Sequence, residues 1–512
     1  MKENSRRPFF LMLFTTTLLS LPCSGIAQAN PFSQENAEKQ ALQKYEATHK
    51  PLDSMRMPAP GENEAFFGAR LTRSANLLAN SSKNKHLPVR ILIYGQSIVG
   101  SVSFTEEINK YIKDKFPFAD VILENRAIGG FGGEQLVRTA AHDVYPFKPD
   151  LIIFHVYGGD KAGELEQLFG GIRSNTNSDI LLMSHHLNAI QTKPDDNQTR
   201  FMRYIANKYD CELADISLEW PPYLAANKLK QTDLLRDGVH PNRNGNWLLA
   251  QLVCRHIKYN PFFPSNWYKT VRSYYPVTAF DPGTGNPISL IGKAWKNISG
   301  AAVSDSKESR IKFSFVGNRV DVISGHPANL TNTGTATILL DGKPIDNSNT
   351  VFTITRPSPG VGTWWPAVRL ISNTKPLIEE DWTLRVESIN SDSTIFTYRV
   401  KGSKTGDDGV GNSTEMFVSK SGRVVIQADD IMFTRIRKTF KVSTPIGFEV
   451  KWSVVPLYKG NYHPPLDKDR TKIYTTTLVQ GLSNGPHTLE IIPVGDGPIP
   501  IESFEVYEPE LK

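Results

Sequence analysis

Cysteine is scarce, with three residues in 512. That count excludes a small scaffold whose folding depends on dense cross-linking. Long apolar runs are missing beyond the N-terminus: no later stretch approaches the roughly 18 apolar residues of a membrane span. A charge of one sign is missing too. Lys and Arg number 58 against 52 Asp and Glu, a formal net charge of +6. No basic arm and no long charge run is present, so no nucleic-acid partner is expected. What remains is an ordinary globular composition, 39% hydrophobic and 21% charged. The chain is long enough for two or three domains.

The N-terminus has the parts of an export signal. Lys2, Arg6 and Arg7 precede an apolar stretch over 9–21, and Ala27-Gln28-Ala29 offers a small-residue cleavage site before Asn30. Ser5-Arg6-Arg7-Pro8-Phe9-Phe10 also fits a twin-arginine pattern, so export before or after folding stays open. Cys23 follows Pro22, a poor fit to the small residue expected before a lipid-bearing cysteine. The reading is a signal peptide over 1–29 and a soluble mature protein, secreted or periplasmic. Two cysteines then remain, Cys211 and Cys254. An oxidising compartment permits their pairing; two buried free thiols are the other reading.

Residues 30–86 read as a polar N-terminal helical extension, with helical character over 63–78. From 87 to 258 apolar strands alternate with amphipathic segments. Strands are predicted at 89–94, 121–124, 151–157, 180–184 and 212–216, and helices at 106–115, 134–142, 164–173, 199–208 and 242–258. Such alternation predicts an α/β domain whose parallel sheet is covered on both faces. Beyond 259 short β-rich segments separated by Gly, Asn, Asp and Pro turns predict an all-β sandwich region to 512. Residues 337–343 and 481–489 resemble strand-and-turn pieces of carbohydrate-associated jelly-roll modules. The expectation is one jelly roll split between 290–349 and 443–512, with a β subdomain inserted over 350–442.

Three side chains supply the parts of a serine-hydrolase triad. Ser97, in Tyr94-Gly95-Gln96-Ser97, follows the first apolar run. A residue at the carboxyl end of a parallel strand faces the crevice where α/β proteins bind ligands. Asp237 and His240 lie three residues apart, so one short turn can hold both. A hydroxyl is a weak nucleophile at neutral pH and needs an adjacent base. An imidazole can take that proton and return it to the leaving group. A carboxylate orients the imidazole and stabilises its charged form. The plain alternatives are a helix-capping hydroxyl at Ser97 and a surface turn at Asp237 and His240.

The region 87–258 resembles the SGNH/GDSL hydrolase family over about a third of the chain. Gly95-Gln96-Ser97 matches the family's Gly-Asp-Ser block. Asn125, followed five positions later by Gly130, matches the second block. Gly158-Gly159-Asp160 falls on the Gly-x-Asn block, and Asp237 to His240, followed by Pro241, on the Asp-x-x-His block. The resemblance implies a flavodoxin-like three-layer α/β/α fold, with Ser97 as nucleophile, His240 as base and Asp237 as its orienter. It implies an oxyanion hole from the Ser97 and Gly130 N–H groups and the residue at 160. The glycine-rich run 129–133 leaves 129 and 130 both open. No metal or cofactor is implied. The implied activity is ester hydrolysis through an acyl-serine. Export and the sandwich-like second half turn that expectation toward acetyl removal from carbohydrate.

Two departures stand out. Gln96 replaces the family's Asp, which is neither nucleophile nor base. Asp160 replaces an Asn amide donor. An ionised carboxylate only accepts hydrogen bonds and repels an oxyanion. Asp160 is therefore protonated, turned away, or replaced by another donor; Lys161, His155, His185 and His186 are nearby in this topology. His185 and His186 follow the fourth strand and are candidates to border the pocket as substrate contacts. Hydrogen-bonded or solvent-facing histidines and a metal site are the other readings. Trp364 and Trp365 are candidates for sugar stacking, set against a place in the core. Arg435, Arg437 and Lys441 nearly alternate along an expected strand, facing an anionic polysaccharide or only water. Asp407-Asp408-Gly409 reads as a turn, with a calcium loop as the alternative. Three other functions stay open: a lipase- or thioesterase-like hydrolase, a glycosidase using Asp160 and Asp237 as a carboxylate pair, and a non-catalytic glycan-binding protein.

Overall fold

The computed structural model describes residues 33–511 apart from 50–51, 53, 264–265, 282–285, 328–329, 346–348 and 467–468. The expected export signal and Cys23 lie outside the described residues. Two helices, α1 (Gln34–Glu46) and α2 (Thr72–Asn80), precede the first strand. Then follow β1 (Pro88–Gly95), α3 (Val102–Lys115), β2 (Asp120–Asn125), α4 (Gly133–Asp143), β3 (Leu151–His155), α5 (Glu164–Asn175), β4 (Asp179–Met183), α6 (Asn197–Lys208), β5 (Glu212–Ala214), α7 (Ile216–Asn227) and α8 (Arg243–Cys254). The five strands form one parallel sheet in the order β2-β1-β3-β4-β5.

Successive side chains of a strand point to opposite faces. Val89, Ile91 and Ile93 of β1 therefore enter one core and Leu92 and Tyr94 the other. Burial on both faces explains why these strands read as unbroken apolar runs. The sequence gives no sign of α7, because Pro221 and Pro222 lie inside it and proline lacks the N–H a helix interior uses. Residues 33–86 are not a separate extension. Leu71, Ala75 and Leu78 are buried in the first core. Cys254 belongs to that core and Cys211 to the second, on opposite faces of the sheet. Both are free and buried, so the disulfide reading falls. Burial pushes the Cys211 thiol up to about 12, which leaves it unreactive.

In the second half, strands before 345 pair with strands after 474. One sheet contains Arg319–Ser324, Ile499–Tyr507, Ala301–Ser304 and Thr475–Val479; the facing one contains Arg310–Gly317, Gly485–Pro493, Ala336–Leu340 and Ile288–Ile291. Their inner faces share one core, which includes Phe313, Leu489 and Phe504. Between them a further β unit has its own core around Trp382, Tyr398 and Trp452. The expected boundary at 442 assigns Glu449–Pro456 to the returning half of the jelly roll. That strand pairs instead with Glu380–Ile389 and Phe352–Ile354, so the intervening unit runs to 456. Arg435, Arg437 and Lys441 do not lie on a strand. Phe433, Ile436 and Phe440 recur at helical spacing, and Phe433–Phe440 forms helix α9, with Lys441 as its left-handed cap. Asp407-Asp408-Gly409 lies within the strand Gly406–Asn412 rather than in a turn. Asp408 accepts hydrogen bonds from Ser421 N–H at 2.8 Å and Ser421 Oγ at 2.6 Å.

The intervening unit docks on the α/β domain. Trp365, Met432 and Ile436 are buried in the second core. On α4, His142 donates from Nδ1 to Ile354 O at 3.1 Å and accepts the Ile371 N–H at Nε2 at 3.0 Å. Asp143 pairs with Arg356 at 2.7 Å. Among the described residues, no helix is long and apolar enough to cross a membrane.

The β-sandwich docks at the opposite end of the sheet. Arg73 of α2 pairs with Asp150 before β3 and donates to Tyr507 Oη at 3.2 Å on the last strand. Asp150 also accepts the Arg90 N–H at 2.7 Å. Both side chains of the Arg73–Asp150 pair are almost fully buried. Arg73→Ala leaves a buried carboxylate without its cation, a change that costs about 3–5 kcal/mol. The urea midpoint of the variant is expected to fall accordingly; an unchanged midpoint would show that the pair contributes nothing net.

Candidate functional site

Ser97 leaves the carboxyl end of β1 through Gly95, whose φ of +133° suits glycine. The hydroxyl does not cap the next helix, because the cap of α3 is Ser101. Asp237 and His240 occupy a tight turn before α8. Asp237 Oδ1 accepts the N–H groups of Val239 at 2.8 Å and His240 at 2.7 Å. The other oxygen, Oδ2, lies 3.0 Å from His240 Nδ1. On the far side of the ring, Nε2 lies 3.0 Å from Ser97 Oγ. The carboxylate therefore orients the imidazole, and Nε2 faces the hydroxyl. Burial pushes the Asp237 carboxyl up, but the two N–H donors and the imidazole outweigh it and hold it below the usual carboxylate range. The site is open: the Asp237 side chain is 49% exposed and that of His240 32%.

The glycine-rich loop after β2 lies beside Ser97; a Cβ built on Gly129 would come 3.4 Å from Ser97 Cβ. The Gly129 N–H donates to Gln34 Oε1 of α1. The Gly130 N–H, at φ +84°, has no acceptor among the described residues. Of these two glycines, Gly130 keeps a free N–H among the described residues, while Gly129 does not. Asn125 shapes the same loop, donating to Val99 O at 2.8 Å and accepting the Ala127 N–H at 3.0 Å. Asp160 follows β3 after two glycines of positive φ, Gly158 and Gly159. It is half-buried and makes no hydrogen bond or ion pair among the described residues. Lys161 is exposed.

Gln96 does more than replace an aspartate. With its amide oriented to satisfy both ends, Nε2 donates to Phe131 O at 3.0 Å and Oε1 accepts the Tyr157 N–H. It thus ties the loop after β2 to the loop after β3. An aspartate could only accept. Gln34 carries no signal in the sequence, lying 95 positions from the glycine it holds.

His185 and His186 do not border the pocket as substrate contacts. Both are wholly buried. His186 donates from Nε2 to Val239 O at 2.8 Å, within the turn of Asp237 and His240. His155 Nε2 and His185 Nδ1 lie 2.9 Å apart, with the Tyr157 ring stacked on His185. Among the described residues no group of His, Cys, Asp and Glu is placed to hold a metal ion. Trp365 offers no stacking platform, and Trp364 is half-buried. Trp365 is 4% exposed, and both indole N–H groups donate to Gly129 O, at 2.9 and 2.7 Å.

Burial lowers the pKa of His185 and of His186 to about 4 and that of His142 and His155 below the ordinary value. These rings stay neutral in the folded chain while free imidazoles titrate near about 6.5. As pH falls through that value the unfolded chain takes up the extra protons, so stability is lost with acidification down to about 4. The urea midpoint is expected to drop between pH of about 7 and about 5. A flat midpoint would contradict neutral burial of these rings.

The chain matches no known family model and no curated protein sequence. It is similar to solved structures. A two-domain esterase active on acetylated mannans, co-crystallised with mannopentaose, is 13% identical, covers 88% of this chain and 98% of its own, and has a TM-score of 0.32. An acetyl xylan esterase is 21% identical over 32% of this chain and 97% of its own, with a TM-score of 0.28. An acetylxylan esterase from Geobacillus stearothermophilus is 18% identical over 36% of this chain and 100% of its own, with a TM-score of 0.27.

Proposed function

We propose that the protein is an exported serine ester hydrolase of the SGNH/GDSL kind, removing acetyl groups from carbohydrate. The observation that carries the reading is the run of contacts from Asp237 through His240 to Ser97 Oγ, at 3.0 Å on each side of the ring. Ser97 Oγ attacks the acyl carbon while its proton passes to His240 Nε2. The carbonyl oxygen takes the negative charge, stabilised by the Ser97 and Gly130 N–H groups. Collapse breaks the bond to the sugar oxygen, which takes the proton from His240 and leaves as a hydroxyl. Water, activated by the same imidazole, then releases acetate and frees Ser97.

An open site suits an acyl group carried on a polymer; a lipase-like enzyme would need a covered apolar groove. The choice of carbohydrate rests on the export-type N-terminus and on the jelly-roll half, which is an analogy of fold. The carboxylate-pair reading is weaker. Asp237 has its oxygens committed to two N–H groups and an imidazole, and its lowered pKa is the wrong direction for a general acid.

Ser97→Ala is expected to lower acetate release from acetylated mannan or xylan by about 10³-fold or more. Release of reducing ends undiminished by that change would point to the carboxylate pair instead. Asp160→Asn puts an amide donor where a carboxylate stands. Turnover of p-nitrophenyl acetate is expected to rise by about tenfold, a fraction of what one oxyanion donor contributes. A fall in turnover would give Asp160 a role of its own.

A further inference from the structure

The peptide that joins Gly129 to Gly130 is held by a different part of the chain from the one that carries it. Ile128, Gly129, Gly130 and Phe131 form a turn closed by the Phe131 N–H and Ile128 O at 3.1 Å. Gly130 has φ +84°, the value that a type II turn requires at its third residue. Type I and type II turns differ by a flip of the central peptide, here the Gly129–Gly130 one. In a trans peptide the carbonyl and the N–H point in opposite directions. Whatever holds the Gly129 carbonyl therefore aims the Gly130 N–H.

That carbonyl accepts two hydrogen bonds, from Trp365 Nε1 at 2.7 Å and Trp364 Nε1 at 2.9 Å. Both tryptophans belong to the intervening β unit. They are themselves fixed by α9: the Phe440 ring meets Trp364 and Trp365 edge-on at 5.3 and 4.8 Å, and the Arg435 guanidinium lies 5.9 Å from the Trp365 ring. The fit is close, since a Cβ on Gly130 would lie 2.9 Å from Trp365 Cζ2. Two glycines at the centre of a turn adopt either flip readily. The flipped form would present the Gly129 carbonyl where an oxyanion needs a donor.

We propose that Trp364 and Trp365 are positioning residues for the oxyanion hole, their indole N–H groups selecting the peptide flip that aims the Gly130 N–H at the acyl oxygen. The inference rests on the ester-hydrolase reading. Two donors on one carbonyl also polarise the amide and strengthen its N–H as a donor. The intervening β unit is then part of the catalytic apparatus although none of its residues reacts.

The test uses the full mature chain with Trp364→Phe, Trp365→Phe and the double variant, which keep an aromatic ring and remove the N–H. With p-nitrophenyl acetate, kcat is expected to fall about tenfold for each single change and about a hundredfold for the double, within what one oxyanion donor contributes. KM is expected to stay within about twofold, because the interaction forms only in the transition state. Affinity for phenylboronic acid, which forms a tetrahedral anion on the serine, is expected to fall in step with kcat. Trp364 is half-buried, so its variant keeps the test available if the Trp365 change impairs folding. Unchanged kcat in the variants, or kcat, KM and the urea midpoint all shifting together, overturns the proposal. A parent protein without ester turnover, or Ser97→Ala retaining it, overturns the hydrolase reading itself.

Discussion

The site depends on the close approach of β1 and β3 at their carboxyl ends. Gly95 pairs with His155 across the sheet, and a Cβ there would lie 2.0 Å from His155 O. Only glycine permits that contact together with a φ of +133°. The backbone then closes a knot. Gln96 N–H donates to His155 O at 3.1 Å, and Ile128 N–H donates to Gly95 O at 2.8 Å. The loops after β1, β2 and β3 all start from this point. They carry Ser97, Gly130 and Asp160. Gln96 adds a second tie between the outer two, using one donor and one acceptor of the same amide.

Around that knot the edge that carries Ser97 is assembled from three distant parts of the chain. Helix α1 holds the Gly129 N–H through Gln34, and Glu38 accepts the Val102 N–H at the start of α3. Arg236 lies 3.8 Å from both Glu38 and Asp237, joining α1 to the turn that carries the imidazole. The α/β domain supplies Ser97, Asp237 and His240. The intervening β unit reaches the same loop from the other side, docked on α4 through His142, Asp143 and Arg138. Since α4 begins three residues after Gly130, the docking contacts and the Gly129–Gly130 turn share one short segment.

Buried histidines form the floor. His155, His185 and His186 are buried neutral rings, and His186 supports the carbonyl of Val239, the residue before His240. His185 and His186 were candidates for the pocket because they follow β4 at the ligand-binding edge. Topology placed them at the right end of the sheet, but the side-chain direction there is set by packing against Tyr157 and Trp220.

The sequence by itself determined much of what is local, though not α7 or α9. The five strands follow from apolar runs, the turn of Asp237 and His240 from three-residue spacing, and the place of Ser97 from the strand before it. The departure at Asp160 was also visible as a plain exchange of residue type. Tertiary structure decided everything that pairs across long separations. It assigned Glu449–Pro456 to the intervening sheet and put Cys211 and Cys254 on opposite faces. It brought Gln34 and two tryptophans onto one glycine from distant parts of the chain. The physical reason is that periodicity and turn chemistry act over a few residues. A hydrogen bond across more than 200 residues leaves no pattern in the sequence beside either partner.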